Sequence, residues 1–348
     1  MAPVIQACAT AKVECAVCVT AQHREMLDQM LAVFGIRPDY DLNVMQENQS
    51  PQTVAARVME SLGAVISASK PDWLLVQGDT TSAFAAAFVG YHQRVRIGHV
   101  EAGLRTQDKW QPFPEEMNRR LITTLADMNF APTESAAKSL RAEGVRDQKI
   151  LVTGNTVVDA LRVILQREPC YSDARLRSLS GRILLVTAHR RENFGPPLEQ
   201  ICLAIRDVLQ EISDVTVVFP VHPNPSVGKT VRSVLAKESR VLLTAPLVYS
   251  EFVHLMKRAA LILSDSGGVQ EEAPSVGTRV LVMRNVTERP EAVESGWALL
   301  VGASRTEIVK RASEWLNPQR PILPRPGPNP FGDGKTSERI LRALLNWT

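Results

Sequence analysis

The chain has no long apolar run. No stretch approaches the roughly 20 residues needed to cross a bilayer as a helix, which argues against an integral helical membrane protein. It also lacks a block of one charge. Its 40 basic and 37 acidic residues are interspersed, for a net charge of +3, so nucleic acid or an anionic membrane surface is not expected as principal partner. Cysteine is sparse and odd in number, five in all, which argues against a disulfide framework and for a reducing, cytoplasmic setting. Cys15 and Cys18 have CxxC spacing, but they lie in the strand-like run "VECAVCVT". In a strand they face opposite sides of the sheet, so they read as buried thiols and not as a redox or zinc pair. The opening "MAPVIQACATAK" lacks the basic start of a secretory signal, because no cation precedes Lys12 and the polar Gln6 and Thr10 interrupt its apolar stretch. It reads as a helix.

What is present is ordinary globular composition, 45% hydrophobic and 22% charged over 348 residues. That length suggests about two domains. Strand-like runs fall near 13–20, 40–44, 72–77, 95–100, 128–132 and 149–153, then near 182–187, 215–220, 240–244, 260–264, 279–283 and 298–301. Helix-period segments such as "QTVAARVMESLGAVISA" separate them. Strands alternating with helices of this length mean βαβ units and parallel sheets. The expected fold is α/β, with two Rossmann-like, doubly wound domains: residues 1–155, carrying acid/base carboxylates, and residues 156–330. The tract "LNPQRPILPRPGPNP", residues 316–330, holds six prolines and reads as a stiff extended connector. An amphipathic helix within 331–348 follows, either as a simple tail or as a return to the first domain.

In doubly wound sheets ligands bind beyond the carboxyl ends of the strands, and several strand ends here carry polar residues. "WLLVQGDTTSAF" places Asp79 and Thr80 between a strand and a helix; either could serve as a simple helix cap. "VRIGHVEAGLRT" places Glu101 after the next strand, four residues before Arg105, so a local ion pair is an alternative role. "PFPEEMNRRL" puts Glu115 and Glu116 in the first turn of a helix begun by Pro114, where they also complement the helix dipole. Carboxylates converging on one site could divide general-acid and general-base duties. In the second half, "RILLVTAHRRENFG" ends a strand at His189 beside Arg190 and Arg191, which suits an anionic group, and "VTVVFPVHPNP" repeats the arrangement at His222. The strongest local signal is "LILSDSGGVQEEAPSVG": Ser266, Gly267 and Gly268 turn from a strand into a helix that carries Glu271 and Glu272. Glycine lets the backbone approach a phosphate, and the helix N-terminus stabilises its charge. "LVMRNVTERPEAVESG" adds Arg284 and Arg289 after a later strand.

Taken in order, "QGDTTSAFAAAF", "GHVEAGLRT", "PFPEEMNRR", "TGNTVVDAL", "TAHRRENFG", "PVHPNP", "SDSGGVQEEAPSVGTRVLVMR", "TERPEAVESG" and "NPFGDGK" resemble the non-hydrolysing UDP-N-acetylglucosamine 2-epimerases. The resemblance implies two Rossmann-like domains facing a cleft, the GT-B arrangement. It implies inversion at C2 of UDP-GlcNAc to give UDP-ManNAc, by loss and re-addition of UDP through 2-acetamidoglucal, in supply of cell-surface polysaccharide precursors. It implies Asp79, Glu101 and Glu115 as acid/base residues and His189 at the diphosphate or in catalysis. Ser266, Gly267 and Gly268 would hold phosphate, Glu272 the ribose, Phe252 the uracil region and Arg289 the nucleotide. Gln22, His23, Arg190 and His222 would serve a second UDP-GlcNAc acting as activator. It implies a homodimer and no metal or nicotinamide cofactor. Family members also carry a strand, a Gly-Thr-Arg-Pro-Glu loop and a lysine ahead of the position that matches Met1, so the first strand of the first domain is expected to be missing from this chain. A nucleotide-sugar-binding protein without turnover, a hydrolysing epimerase and a GT-B glycosyltransferase remain alternatives at this point.

Overall fold

The computed structural model describes residues 1–21, 24–45, 49–317 and 326–347. The chain divides into two units, Met1–Ala160 with Phe331–Thr348, and Leu161–Pro330. The first runs through α1 (Ala2–Ala11), β1 (Cys18–Val19), α2 (Arg24–Phe34), β2 (Tyr40–Asp41), α3 (Pro51–Ser69), β3 (Trp73–Gln77) and α4 (Thr81–His92). It continues through β4 (Arg96–Val100), α5 (Glu115–Leu125), β5 (Met128–Ala131), α6 (Glu134–Ala142) and β6 (Ile150–Val152). The boundary falls inside α7 (Thr156–Leu165). The second unit holds α8 (Ala174–Arg177), β7 (Arg182–Thr187), α9 (Pro196–Glu211), β8 (Val215–Pro220), α10 (Pro225–Leu235), β9 (Val241–Thr244) and α11 (Tyr249–Arg258). Then come β10 (Ala259–Ser264), α12 (Gly267–Val276), β11 (Val280–Val282), α13 (Pro290–Glu294), β12 (Ala298–Leu300) and α14 (Arg305–Leu316). α15 (Thr336–Leu345) belongs to the first unit.

In the first unit β3, β4, β5 and β6 form a parallel sheet in that order, while β1 and β2 pair only with each other. Among the described residues no strand joins the two ladders. The helices bind them together. α3 begins where Ser50 Oγ accepts from Thr53 N at 3.2 Å and Pro51 fills the first turn. Its Val54, Val58, Leu62 and Ile66, four residues apart, make one buried stripe. That stripe packs with Ala85 and Val89 of α4, and with Cys18, Leu42 and Leu74 of both ladders. Each such aliphatic side chain, fully buried, contributes about 1.5–3 kcal/mol.

The expected strand over 13–20 contracts to Cys18–Val19, and Cys15 is exposed, not buried. The residues ahead of the strand have other partners: Val13 N donates to Cys8 O at 2.9 Å and Val17 N to Asp39 Oδ2 at 2.7 Å. Of the proline-rich tract, 318–325 lie outside the described residues. Its end is held to the second unit, where Asn329 Nδ2 donates to Glu271 O at 2.9 Å and Trp297 Nε1 donates to Gly327 O at 2.9 Å.

The C-terminal helix returns to the first unit. Ile340 is buried with Val4 of α1, Val100 and Phe130, and Trp347 meets Trp73 edge-on at 5.2 Å. The buried Asp159 carboxylate accepts from Thr336 N (3.2 Å), Ser337 N (2.8 Å) and Ser337 Oγ (2.7 Å), which caps α15 from α7.

The second unit has one six-stranded parallel sheet, ordered β12-β11-β10-β7-β8-β9. Its central strands "RILLVT", "VTVVFP" and "AALILS" are buried almost throughout, the pattern of a sheet covered on both faces. The chain runs outward from β7 through β8 to β9, then restarts at β10 on the other side of β7. That reversal of strand order is a topological switch point, where doubly wound sheets open a crevice at the strands' carboxyl ends.

Candidate functional site

In the first unit, β3 ends in Gln77, Gly78 and Asp79. Gly78 turns with φ 73°, a left-handed conformation that glycine takes without strain. Thr80, not Asp79, caps α4, its Oγ1 accepting from Ala83 N at 3.1 Å. The Asp79 carboxylate is thereby left for another partner and pairs with Arg119 of α5. Asn118, the preceding residue, donates from Nδ2 to Asp79 O at 2.9 Å. Arg119 is in turn held by Glu116, fully buried, at 3.4 Å, and Glu116 also takes Arg120 at 3.0 Å and Thr106 N at 3.2 Å. Glu116 thus organises the turn from within, while Glu115, half-buried beside it, starts the helix.

Glu101 follows β4 with φ 65°, a left-handed conformation rare for a side chain with a Cβ, of the kind that concentrates at functional sites. Its Oε2 accepts from Gln77 Nε2 at 3.2 Å, and the same Nε2 lies 3.3 Å from Thr156 Oγ1. Arg105 does not pair with Glu101; it turns to Glu143 at 2.7 Å. Between these carboxylate positions His99 is fully buried, its Nε2 2.8 Å from Gly78 O and its Nδ1 without a protein partner. Burial lowers its imidazole to about 4, so the ring is neutral and anchors the Gly78–Asp79 turn as a hydrogen-bond donor.

In the second unit the switch point between β7 and β10 carries the pair His189 and Asp265. His189 Nδ1 lies 3.0 Å from Asp265 Oδ1, with the ring 45% exposed and the carboxylate fully buried. Asp265 also accepts from His189 N (3.1 Å), Arg190 N (3.0 Å) and Asn193 Nδ2 (2.9 Å). Burial alone would raise this carboxyl, but the donors outweigh it and hold it below its usual range. The carboxylate fixes the His189 ring with Nε2 directed away from it.

Beyond β10, Ser266 leads into α12 without a side-chain cap, which leaves the first-turn amides open to an anion. A Cβ on Gly267 would meet Arg289 Cζ and Nη1 at 3.0 Å, so the turn is closed against a side chain there. Arg289 Nε bonds Glu271 at 2.8 Å, and Arg284 bonds Glu288 at 2.7 Å and Glu192 at 3.2 Å. Against the upward push of burial, Arg284 and Arg289 bring the Glu288 carboxyl down to about 2. Glu272 accepts from Tyr249 Oη at 2.6 Å, and burial raises its carboxyl to about 7. Tyr249 and the half-buried Phe252 lie one turn apart on α11, so that one face brings both towards α12.

The structure therefore groups Asp79, Glu101 and Glu115 at neighbouring strand and helix ends of one unit. It groups His189, Arg190, Ser266, Gly267, Gly268, Glu272, Arg289 and Phe252 around β7, β10 and α12 of the other. His222 follows β8, and its Nδ1 accepts from Asn224 N at 3.2 Å, a contact a purely structural histidine also makes. Gln22 and His23 lie outside the described residues. Sequence reasoning missed Asp265, Tyr249, Arg119, Gln77 and His99. Asp265 sits between two serines in what reads as a turn, and Tyr249 three residues before Phe252 was the available signal for a shared aromatic face.

Two parallel-sheet units, one with its strand reversal at an acid–histidine pair and a glycine turn, define a doubly wound α/β protein of the GT-B kind. The sequence model of the UDP-N-acetylglucosamine 2-epimerase family matches residues 6–345, and the chain belongs to that family. It is 46% identical over 358 aligned positions to the UDP-N-acetylglucosamine 2-epimerase of Escherichia coli K12, covering 99% of this chain and 95% of that one. Its fold matches the crystal structure of UDP-GlcNAc 2-epimerase from Neisseria meningitidis bound to UDP-GlcNAc, with TM-score 0.85, 41% identity and coverage of 99% and 95%. The enzyme of Methanocaldococcus jannaschii, in complex with UDP-GlcNAc and UDP, matches with TM-score 0.79, 33% identity and the same coverage.

Proposed function

We propose that the protein interconverts UDP-N-acetylglucosamine and UDP-N-acetylmannosamine by inverting C2 of the sugar. The C2 hydrogen has no neighbouring carbonyl and is not acidic, so direct deprotonation to a stabilised anion is closed. Elimination supplies the route. A carboxylate takes the C2 proton, the C1–O bond breaks, and UDP departs to leave 2-acetamidoglucal. UDP then returns to C1 while C2 is protonated from the other face. Such a sequence needs carboxylates around C2, cations and amides on the departing diphosphate, and a site that retains the glucal.

Asp79, Glu101 and Glu115 are the acid/base residues in this reading, with Arg119 positioning Asp79 and Gln77 positioning Glu101. His189, oriented by Asp265, donates from Nε2 towards the diphosphate. Ser266, Gly267 and Gly268 hold phosphate at the α12 N-terminus, Glu272 the ribose, Phe252 the base and Arg289 the nucleotide. Each charge-assisted bond to the leaving group contributes about 1.5–3 kcal/mol. The observation that carries the reading is the position of Asp79 and Glu101 beyond the adjacent parallel strands β3 and β4, with Glu115 opening the next helix.

Arg190 and His222, with Gln22 and His23, serve a second UDP-GlcNAc as activator in this reading, and the product feeds cell-surface polysaccharide synthesis in the cytoplasm. A homodimer is supported by an exposed apolar stripe on α4 and α5, where Phe88, Tyr91, Met117 and Leu121 are 37–59% exposed.

Turnover in deuterated water tests the reaction. Deuterium at C2 of a UDP-linked product is expected. Unlabelled product, free sugar, transfer to an acceptor, or UDP-sugar binding without turnover would overturn it in favour of the alternative each outcome describes.

A further inference from the structure

Arg284 and Arg289 both follow β11, and one carboxylate stands between them. Arg284 takes Glu288 with both arms of its fork, Nη1 to Oε2 at 2.7 Å and Nη2 to Oε1 at 3.1 Å. Arg289 Nη1 lies 3.4 Å from the same Oε2, while its Nε donates to Glu271 at 2.8 Å. All three side chains are largely buried, Arg284 at 7% exposure, Arg289 at 17% and Glu288 at 19%. We propose that Arg284 is a positioning residue of the nucleotide site: it occupies the Glu288 carboxylate and so keeps Arg289 beside the Gly267 turn, available to a diphosphate. The proposal rests on the reading that places Arg289 at the nucleotide.

The Arg289 guanidinium stands at the glycine turn, where a Cβ on Gly267 would lie 3.0 Å from its Cζ and Nη1. An anion arriving there competes with carboxylates for that guanidinium. Glu271 is one competitor and Glu288 the other, but Glu288 has its closer and two-pronged bond with Arg284. Such a fork-to-carboxylate pair is the strongest that an arginine makes. Against burial, Arg284 does more than Arg289 to bring the Glu288 carboxyl down to about 2. Remove Arg284, and a carboxylate largely withdrawn from water is left to draw the nearest remaining cation. That cation is Arg289, and the diphosphate would then have to displace Glu288 to reach it. Arg284 is not itself a ligand in this account, because its Nε turns to Glu192 at 3.2 Å, so that each of its nitrogens has a carboxylate partner. The backbone around the pair has ties of its own. Thr287 Oγ1 donates to Gln270 Oε1 at 2.7 Å, Arg289 N donates to Thr287 Oγ1 at 3.1 Å, and Asn193 Nδ2 donates to Met283 O at 3.2 Å. Loss of the Arg284 guanidinium therefore changes the charge balance of a loop that stays anchored.

Calorimetric titration of the full chain with UDP tests this. Arg284→Gln should bind UDP about tenfold or more weakly, the loss expected when one charge-assisted contact is withdrawn. Glu288→Gln should bind at least as tightly as the parent. The double variant, Arg284→Gln with Glu288→Gln, removes the competitor together with its keeper and should return to within about threefold of the parent. Arg284→Lys, which retains the charge, should also stay within about threefold. A double variant no tighter than Arg284→Gln would overturn the proposal, because a merely structural role makes the two losses accumulate. Arg289→Gln separates the proposal from the reading beneath it. Weakened binding there, beside parental binding in Arg284→Gln, refutes the proposal alone; parental binding in Arg289→Gln takes Arg289 away from the nucleotide and the proposal with it. Circular dichroism establishes that each variant is folded. If Arg284→Gln does not fold, the double variant carries the test, since neither charge remains in it, and UDP binding about tenfold weaker than the parent's would refute the proposal.

Discussion

Replacing Glu272 with glutamine keeps the shape of the side chain and removes its titration. Burial raises this carboxyl from 4.5 to about 7, while the Tyr249 hydroxyl pulls in the opposite direction. A raised folded value means that the folded chain keeps a proton that the unfolded chain has released. The stabilising contribution is therefore complete below about pH 4.5 and is lost as pH rises through about 7. A difference of about 2.5 units at 1.36 kcal/mol each makes the loss about 3 kcal/mol. Glu272→Gln does not share that loss. Urea unfolding of both proteins, followed through Trp297 and Trp315 in the second unit, measures it from about pH 4.5 to about pH 8. The stability difference should move in the variant's favour by about 3 kcal/mol over that range and level off above it. A difference independent of pH, or one moving against the variant, would refute burial as the dominant influence on Glu272. Tyr249→Phe removes the bond that holds the carboxyl down, so in that protein the same loss should extend to higher pH.

Asp79→Asn should abolish turnover and deuterium incorporation yet leave UDP affinity, measured by calorimetry, within about threefold of the parent; near-normal turnover would remove Asp79 from the acid/base set. Gly267→Ala puts a Cβ 3.0 Å from the Arg289 guanidinium, which Glu271 restrains. UDP should bind about tenfold more weakly to a protein with an unchanged circular dichroism spectrum, a loss of about 1.4 kcal/mol. Glu116→Ala takes the buried acceptor from the Thr106 amide and from Arg120, and one of two carboxylate partners from Arg119, and should cost about 3–5 kcal/mol in urea unfolding. Met117→Glu with Leu121→Glu charges the apolar face of α5 and should convert a dimer to a monomer in sedimentation velocity.

Much of the architecture was legible because parallel strands buried on both faces are continuous aliphatic runs. β7, β8 and β10 announce themselves in "RILLVT", "VTVVFP" and "AALILS". β1 was overextended because "VECAVCVT" has the same apolar look, while what shortens it is nonlocal: an Asp39 carboxylate takes the Val17 amide and the end of α1 takes Val13. At the site, residues at strand ends could be read from position alone. The partners that orient them could not. Arg119 lies 40 residues from Asp79, and Asp265 lies 76 from His189. Nothing local in "NRRL" or "SDSGG" says which carboxylate or ring each will meet, since topology decides that. Glu115 and Glu116 illustrate the limit: adjacent and identical in type, they part only when the α5 periodicity turns Glu116 inward to its arginines.

The return of residues 331–347 to the first unit has a consequence for how the protein is made. The second unit is one continuous segment, whereas the first is assembled from both ends of the sequence. A ribosome releases the 161–330 segment complete before it releases α15. The Asp159 carboxylate, Val4 of α1 and the sheet face under Phe130 must wait for α15 to cover them. The first unit is thus completed only after the whole of the second has been made. Until Thr336 and Ser337 arrive, Asp159 lacks three of its donors and the apolar face that Ile340 covers stays open to water.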